Sequence, residues 1–175
     1  MDDVARLIKA ADFAAAKHRM QRRKDAEASP YINHSLALAR VLKLEAGVDE
    51  VDVLVAAILH DTVEDTETTV AELSKEFGPE IASIVAEVTD DESLPKPERK
   101  RLQVVRAPGS SRPAKLVKLA DKICNLRDVR DSPPAHWPLE RRQAYFEWAR
   151  EVIDGLRGVH PGLEAIFDEA YRAKP

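Results

Sequence analysis

Apolar residues recur along this chain at intervals of three and four, the spacing of helices that bury one stripe. Nowhere do they alternate every second residue long enough for a strand, and no Asn-Gly or Asp-Gly hairpin signal is present. From Val4 to about Arg19, Leu7, Ile8, Ala11, Ala14, Ala15 and His18 share one helical face, with Phe13 flanking it. A second helix carries Leu36, Leu38, Ala39, Val41, Leu42 and Leu44 and stops at Gly47, a residue suited to a left-handed C-cap. A third begins at about Asp49, read as its N-cap, with Asp52 three residues on imitating a capping box. Its buried face is Val51, Val53, Leu54, Ala57, Ile58 and Leu59, and it delivers His60 and Asp61 at its last turn.

Beyond that point Thr69 and Glu72 give a second capping signal for a short helix with Val70, Leu73 and Phe77 inward. Gly78-Pro79 breaks it and starts another, whose core face is Ile81, Ile84, Val85 and Val88. Thr89 to Ser93 is an acidic loop closed by Pro95, and the charge-dense Lys96 to Arg101 is expected to be a mobile surface connection running to the break at Ala107 to Ser111. Ala114 to Arg130 places Leu116, Val117, Leu119, Ala120, Ile123 and Leu126 at core spacing. Two more helices follow, Leu139 to about Arg157 and Gly162 to Tyr171. The pattern predicts an all-α fold, a single domain over residues 1–175 with about eight to ten helices around one core.

Composition narrows the partners. With 175 residues, 44% of them hydrophobic, the chain can bury a substantial core but not two comfortable ones. A net charge of −4 argues against a general nucleic-acid binder, which shows a basic excess. The lone Cys124 excludes an internal disulfide and a cysteine-based zinc site, which points to a reducing, cytoplasmic setting. No apolar run is long enough for a membrane span, and Met1-Asp2-Asp3 is not the start of a signal peptide, so an unprocessed protein without a membrane partner is expected. No heptad series or repeat signals an oligomeric state.

The chemistry sits where polar groups interrupt apolar helices. His34 stands in the entry turn of the second helix, His60-Asp61 at the end of the third, and Asp121 inside the apolar belt of the Ala114 helix, with Asn125 four residues on. Burying such groups unpartnered is costly, and two imidazoles with two carboxylates could enclose one divalent ion. Such an ion suits hydrolysis, because it activates water and offsets charge on a phosphoryl oxygen. Glu64 and Asp65 follow at i+4 from His60 and Asp61 and arrive beside the same point. The bland alternative is a helix-end polar pair at His60-Asp61 with Asp121 and Asn125 facing water. Arg22, Arg23 and Lys24 are either a solvated helix end or an anion-binding loop.

The order of a His, a His-Asp dyad and a downstream Asp resembles the HD-domain superfamily of metal-dependent phosphohydrolases. Arg22 to Asp25, Pro30 to His34, Leu59 to Asp65, Val88 to Asp91, Leu94 to Lys96, Glu98 to Val104, Lys115 to Lys122, Asn125 to Asp128 and Tyr145 to Trp148 together look like the hydrolase domain of the alarmone synthetase/hydrolase family, especially its stand-alone members, from about residue 4 to residue 157. The resemblance implies hydrolysis of guanosine 3′,5′-bis(diphosphate) and its pentaphosphate relative at the 3′-pyrophosphate. By motif position, His34, His60, Asp61 and Asp121 would bind one Mn2+ per chain, with Fe2+ or Zn2+ as possible substitutes. Glu64 and Asp65 would be the catalytic pair. Arg23 and Lys24 would flank the guanine nucleotide, Asn125 would lie near the ribose, and Lys96, Arg141 and Tyr145 are candidates for the phosphate end. The chain is too short for the synthetase and regulatory regions and should only degrade. Alternatives are removal of the 2′-phosphate of NADPH or hydrolysis of another nucleotide phosphate on the same metal site, and a non-catalytic alarmone-binding module, whose mark would be loss of Glu64, Asp65 or a ligand.

Overall fold

In the computed structural model, which describes all 175 residues, ten α-helices run as α1 (Asp3–Lys17), α2 (Ile32–Arg40), α3 (Val51–Leu59), α4 (Thr62–Asp65), α5 (Val70–Phe77), α6 (Pro79–Val88), α7 (Lys96–Arg106), α8 (Arg112–Asp131), α9 (Leu139–Asp154) and α10 (Pro161–Arg172). There is no sheet; the sole extended pairing is an antiparallel bridge between Arg22 and Pro30. The two helices richest in apolar positions take the centre. α3, whose residues Val53 to Leu59 are all buried, packs against α1, α2, α6 and α8, and α8 in turn packs against α2, α3, α6, α9 and α10. One contiguous cluster of 37 buried apolar residues links them, which is why the helices make one core rather than two.

Local signals explain most boundaries. Asp2 caps α1 by accepting from the Ala5 amide, and Thr69 caps α5 by accepting from the Glu72 amide. Gly47 takes φ +71, the left-handed conformation that its place after the α2 segment demands. Gly78, at φ +96, both ends α5 and starts α6, with Pro79 in the first turn.

Two expectations are corrected. The N-cap of α3 is Glu50, with no side-chain cap bond; Asp49 pairs with Lys43 and Asp52 with Arg6, so the suggested capping box is not formed. Lys96 to Arg106 is a regular helix rather than a loose connection. It buries no residue completely, so it has no apolar stripe to read, yet Lys, Glu, Arg, Leu and Gln are strong helix formers and a proline sits in its first turn, where it is tolerated. The Trp148 indole N–H donates to the Lys100 carbonyl at 3.1 Å and fastens α7 to α9.

Candidate active site

The chain stops being helical between α3 and α4, at His60 and Asp61, and this interruption sets the site. It directs both side chains and the first turn of α4 into a cleft of about 580 Å3 bounded by the loop before α2, α7, α8 and α9. His60 Nδ1 lies 2.9 Å from the Ala57 carbonyl, which can only accept, so Nδ1 carries the proton and Nε2 presents a lone pair. That Nε2 is buried and makes no hydrogen bond, although it lies 2.9 Å from Asp61 Oδ2 and 3.9 Å from Asp121 Oδ1. His34 from α2 brings Nε2 to 3.3 Å from the same Asp121 oxygen.

Donor atoms of His34, His60 and Asp121 all fall within 4.8 Å of one another. Two ligand bonds of about 2.1 Å put neighbouring ligands roughly 3–4 Å apart, so these separations fit a shared divalent ion. The orphaned lone pair of His60 is the other half of that fit, because a buried acceptor with no donor is what a cation would satisfy. Asp61 stands just outside this group of three. Its Oδ2 faces His60 but also accepts from the Tyr31 hydroxyl.

The surroundings support the charges. Burial alone would raise the Asp121 carboxyl, but Lys122 and His34 hold it well below the usual carboxylate range. Lys122, itself buried, sits 3.0 Å from Asp121 Oδ2 and 4.5 Å over the Trp148 ring. Asn125 donates to Asp121 Oδ1 at 2.6 Å. Burial pushes His34 below its ordinary value, while at His60 the opposing effect of burial is outweighed by Asp61 and Asp121, which raise it.

Glu64 and Asp65 occupy contrasting settings one residue apart. Glu64 is half-buried, accepts from the Asp90 amide at 2.8 Å, and is pushed up to about 7 by burial, reinforced by the Asp61 and Asp90 charges. Asp65 is exposed and accepts from the Gln21 carboxamide at 2.8 Å.

Of the residues expected to touch a substrate, Arg23, Lys24, Lys96, Asn125 and Tyr145 line the cleft. Arg23 pairs with Asp128 and lies 5.5 Å over the Tyr31 ring. Arg141 does not line the cleft; its guanidinium stacks 4.3 Å over Trp137, which does. Lys96 is lowered by partial burial and by the nearby Lys24, Arg141 and Arg99, and Lys100 by burial and by Lys96, Lys122 and Arg141. Cations so crowded that they depress one another form a surface that favours a polyanion.

Residues 10–147 match the HD domain family. The chain is 54% identical over 172 residues to the human guanosine-3′,5′-bis(diphosphate) 3′-pyrophosphohydrolase MESH1, covering 98% of this chain and 96% of the relative. The Drosophila melanogaster protein of the same name is 48% identical over 170 residues, covering 97% and 95%. This chain belongs to the MESH1-type HD-domain family. A solved structure described as a metazoan ortholog of SpoT that hydrolyses ppGpp and plays a role in starvation responses superposes with a TM-score of 0.93 at 49% identity, covering 96% of this chain and 94% of that one.

Several cleft residues went unassigned from sequence alone. Lys118, whose Nζ donates to the Val88 carbonyl at 2.9 Å, and Lys122 lie inside an apolar helix, where a lysine is unexpected. That anomaly was the available clue. Trp137 and Trp148 join Tyr145 in an aromatic wall, with ring centroids 5.7 and 5.3 Å from that of Tyr145; the Tyr145–Trp148 contact is an i, i+3 pair within α9, and Trp137 joins from the turn before that helix. No helix of this chain is long and apolar enough to cross a membrane.

Proposed function

We propose that this protein hydrolyses guanosine 3′,5′-bis(diphosphate) and its pentaphosphate relative at the 3′-pyrophosphate, releasing pyrophosphate and leaving GDP or GTP. The observation that carries the reading is a buried imidazole lone pair, His60 Nε2, grouped with His34 and Asp121 and opening onto a lysine-lined cleft. One Mn2+ per chain is the proposed occupant, with Fe2+ or Zn2+ as substitutes, held by His34, His60 and Asp121 and completed by Asp61. When bound, such an ion supplies Lewis acidity that eases deprotonation of water and offsets phosphoryl charge.

The rest of the chemistry belongs to the protein. Water oxygen forms a bond to the phosphorus attached to the ribose O3′, the P–O3′ bond breaks, and O3′ leaves with a proton. A group whose pKa lies near ambient pH exchanges protons best, and Glu64, at about 7, answers that requirement. Asp65 is the second member of the pair and orients the reacting water. Arg23, tied to Asp128, presents its guanidinium face for stacking on guanine, and Lys24 and Lys96 neutralise phosphate oxygens. Asn125 fixes the Asp121 oxygen and lies within reach of the ribose. Tyr145 borders the phosphate end, and Arg141 acts there from behind Trp137.

A second reading is removal of the 2′-phosphate of NADPH on the same site. It is favoured by the Trp137, Tyr145 and Trp148 wall, which offers a platform for a second planar ring that a mononucleotide lacks. The test is an assay of Mn-loaded protein against both nucleotides with product analysis. Pyrophosphate release with higher kcat/KM on the bis(diphosphate) supports the first reading; inorganic phosphate release from NADPH alone replaces it with the second; turnover of neither removes both.

A further inference from the structure

One buried titratable side chain lies behind the site without a part in the chemistry above. His18 ends α1 and is only 2% exposed. Its ring packs against Tyr31, centroid to centroid 4.8 Å and tilted by 32°, and its Nδ1 lies 2.6 Å from Gln21 Oε1. The Gln21 carboxamide continues the line, donating from Nε2 to Asp65 Oδ2 at 2.8 Å. The Gln21 backbone is fixed as well, since its carbonyl accepts from the Tyr31 amide at 3.2 Å where the loop doubles back.

The direction of each bond follows from chemistry. A carboxylate oxygen facing the amide oxygen would set acceptor against acceptor, so Nε2 of Gln21 must point to Asp65 and Oε1 to the ring. An amide oxygen only accepts, which places the imidazole proton on Nδ1 and leaves Nε2, buried and without a partner, as a bare lone pair. In the reversed arrangement that ring nitrogen would become a buried donor with nothing to bond. The unpartnered Nε2 therefore favours one orientation of the amide, and the amide in turn ties one oxygen of the carboxylate.

We propose that His18 and Gln21 are positioning residues: the ring fixes the carboxamide, and the carboxamide holds the Asp65 carboxylate in its working orientation at the cleft. This rests on the reading of Asp65 as one of the catalytic pair. Neither residue is assigned contact with the reacting atoms, so their effect passes entirely through Asp65.

The experiment compares steady-state pyrophosphate release by the Mn-loaded wild type and the variants Gln21→Met, His18→Asn, His18→Leu, Asp65→Ala and Gln21→Met/Asp65→Ala. Met keeps the size of Gln without donor or acceptor, and the Asn amide nitrogen takes the place of Nδ1. Gln21→Met is expected to lose roughly tenfold in kcat, the scale of one hydrogen bond to a charged group, with KM and metal content unchanged. His18→Leu should lose a similar factor and His18→Asn should recover to within about threefold of wild type. In the Asp65→Ala background, Gln21→Met should cost nothing further, which no merely structural role would produce. An active wild type with an unimpaired Gln21→Met overturns the inference alone, as does a Gln21→Met loss that persists without Asp65. His18→Asn as impaired as His18→Leu overturns the part assigned to the ring. A wild type that releases no pyrophosphate overturns the proposed function and this inference with it.

Discussion

The floor of the cleft and its α7 rim are built on opposite principles. The floor comes from α2, α3 and α8, where His34, His60, Asp121 and Lys122 are buried among core side chains. The rim comes from α7, an eleven-residue helix with no fully buried residue, whose Lys96, Arg99 and Lys100 face the cavity. The floor's carboxylate is over-determined, Asp121 being met by Lys122, Asn125 and His34, while His60 keeps a buried lone pair free. Those of the rim are crowded by like charge instead. Groups that must hold a cation and reacting atoms within fractions of an ångström are placed where packing leaves no freedom. Groups that gather a polyanion are placed where water and long side chains allow adjustment.

The largest test of that division is His60→Ala. It should abolish stoichiometric uptake of Mn2+ after chelation and reloading, and with it at least about a thousandfold of turnover; the wild type should take up about one ion per chain. An unaltered metal content would remove His60 from the floor's chemistry. Glu64→Gln comes next. It keeps shape and metal but loses proton exchange, so kcat should fall by about 10²–10⁴ with metal content intact, measured by initial rates alongside metal analysis. Undiminished turnover would take Glu64 out of the reaction.

Rim and loop changes should be milder and of a different kind. Arg23→Ala and Lys96→Ala are each expected to raise KM roughly tenfold while metal loading stays the same. Equal loss of nucleotide binding and metal loading for Arg23 would make its loop structural and blur the difference between floor and rim. Smallest of all is a pH effect on stability. Because burial raises the Glu64 carboxyl from 4.5 to about 7, the folded, metal-free chain binds that proton more tightly than the unfolded chain. The resulting stability is complete below about 4.5 and is lost as pH rises through about 7. Urea midpoints of chelated protein between pH 5 and 8 should therefore fall less steeply in Glu64→Gln than in the wild type.

The same contrast decides what could be read from the sequence. The floor was legible because His60, Asp61 and Asp121 interrupt apolar runs, and a charged group at core spacing demands a partner. The helices with a buried stripe were legible for the same reason, as at Leu38 and Leu42, Leu73, and Ile81 and Val85; the exact face was less so, since Ala10 rather than Ile8 turns inward in α1 and Leu36, Leu44 and Val70, expected inside, are exposed. The rim left no such trace. α7 has no apolar face, and its helical state follows from residue propensity and from its bond to Trp148 rather than from pattern. The line from His18 through Gln21 to Asp65 was invisible as well, since it depends on the loop from Arg19 to Pro30 folding back on itself through the Arg22–Pro30 bridge. Arg141, a candidate for the phosphate end by resemblance, lies over Trp137 rather than lining the cleft, a placement that the fold alone reveals.

The interruption between α3 and α4 puts His60, the proposed ligand, its acidic neighbour Asp61 and the proposed catalytic pair Glu64 and Asp65 into six consecutive positions. Spacing within that hexapeptide is consequently a rotational setting. One residue added after Asp61 would displace and rotate the single turn of α4 and carry Glu64 and Asp65 away from the ring of His60. Point substitutions here trim individual duties, whereas a single insertion or deletion would put the whole stretch out of phase at once.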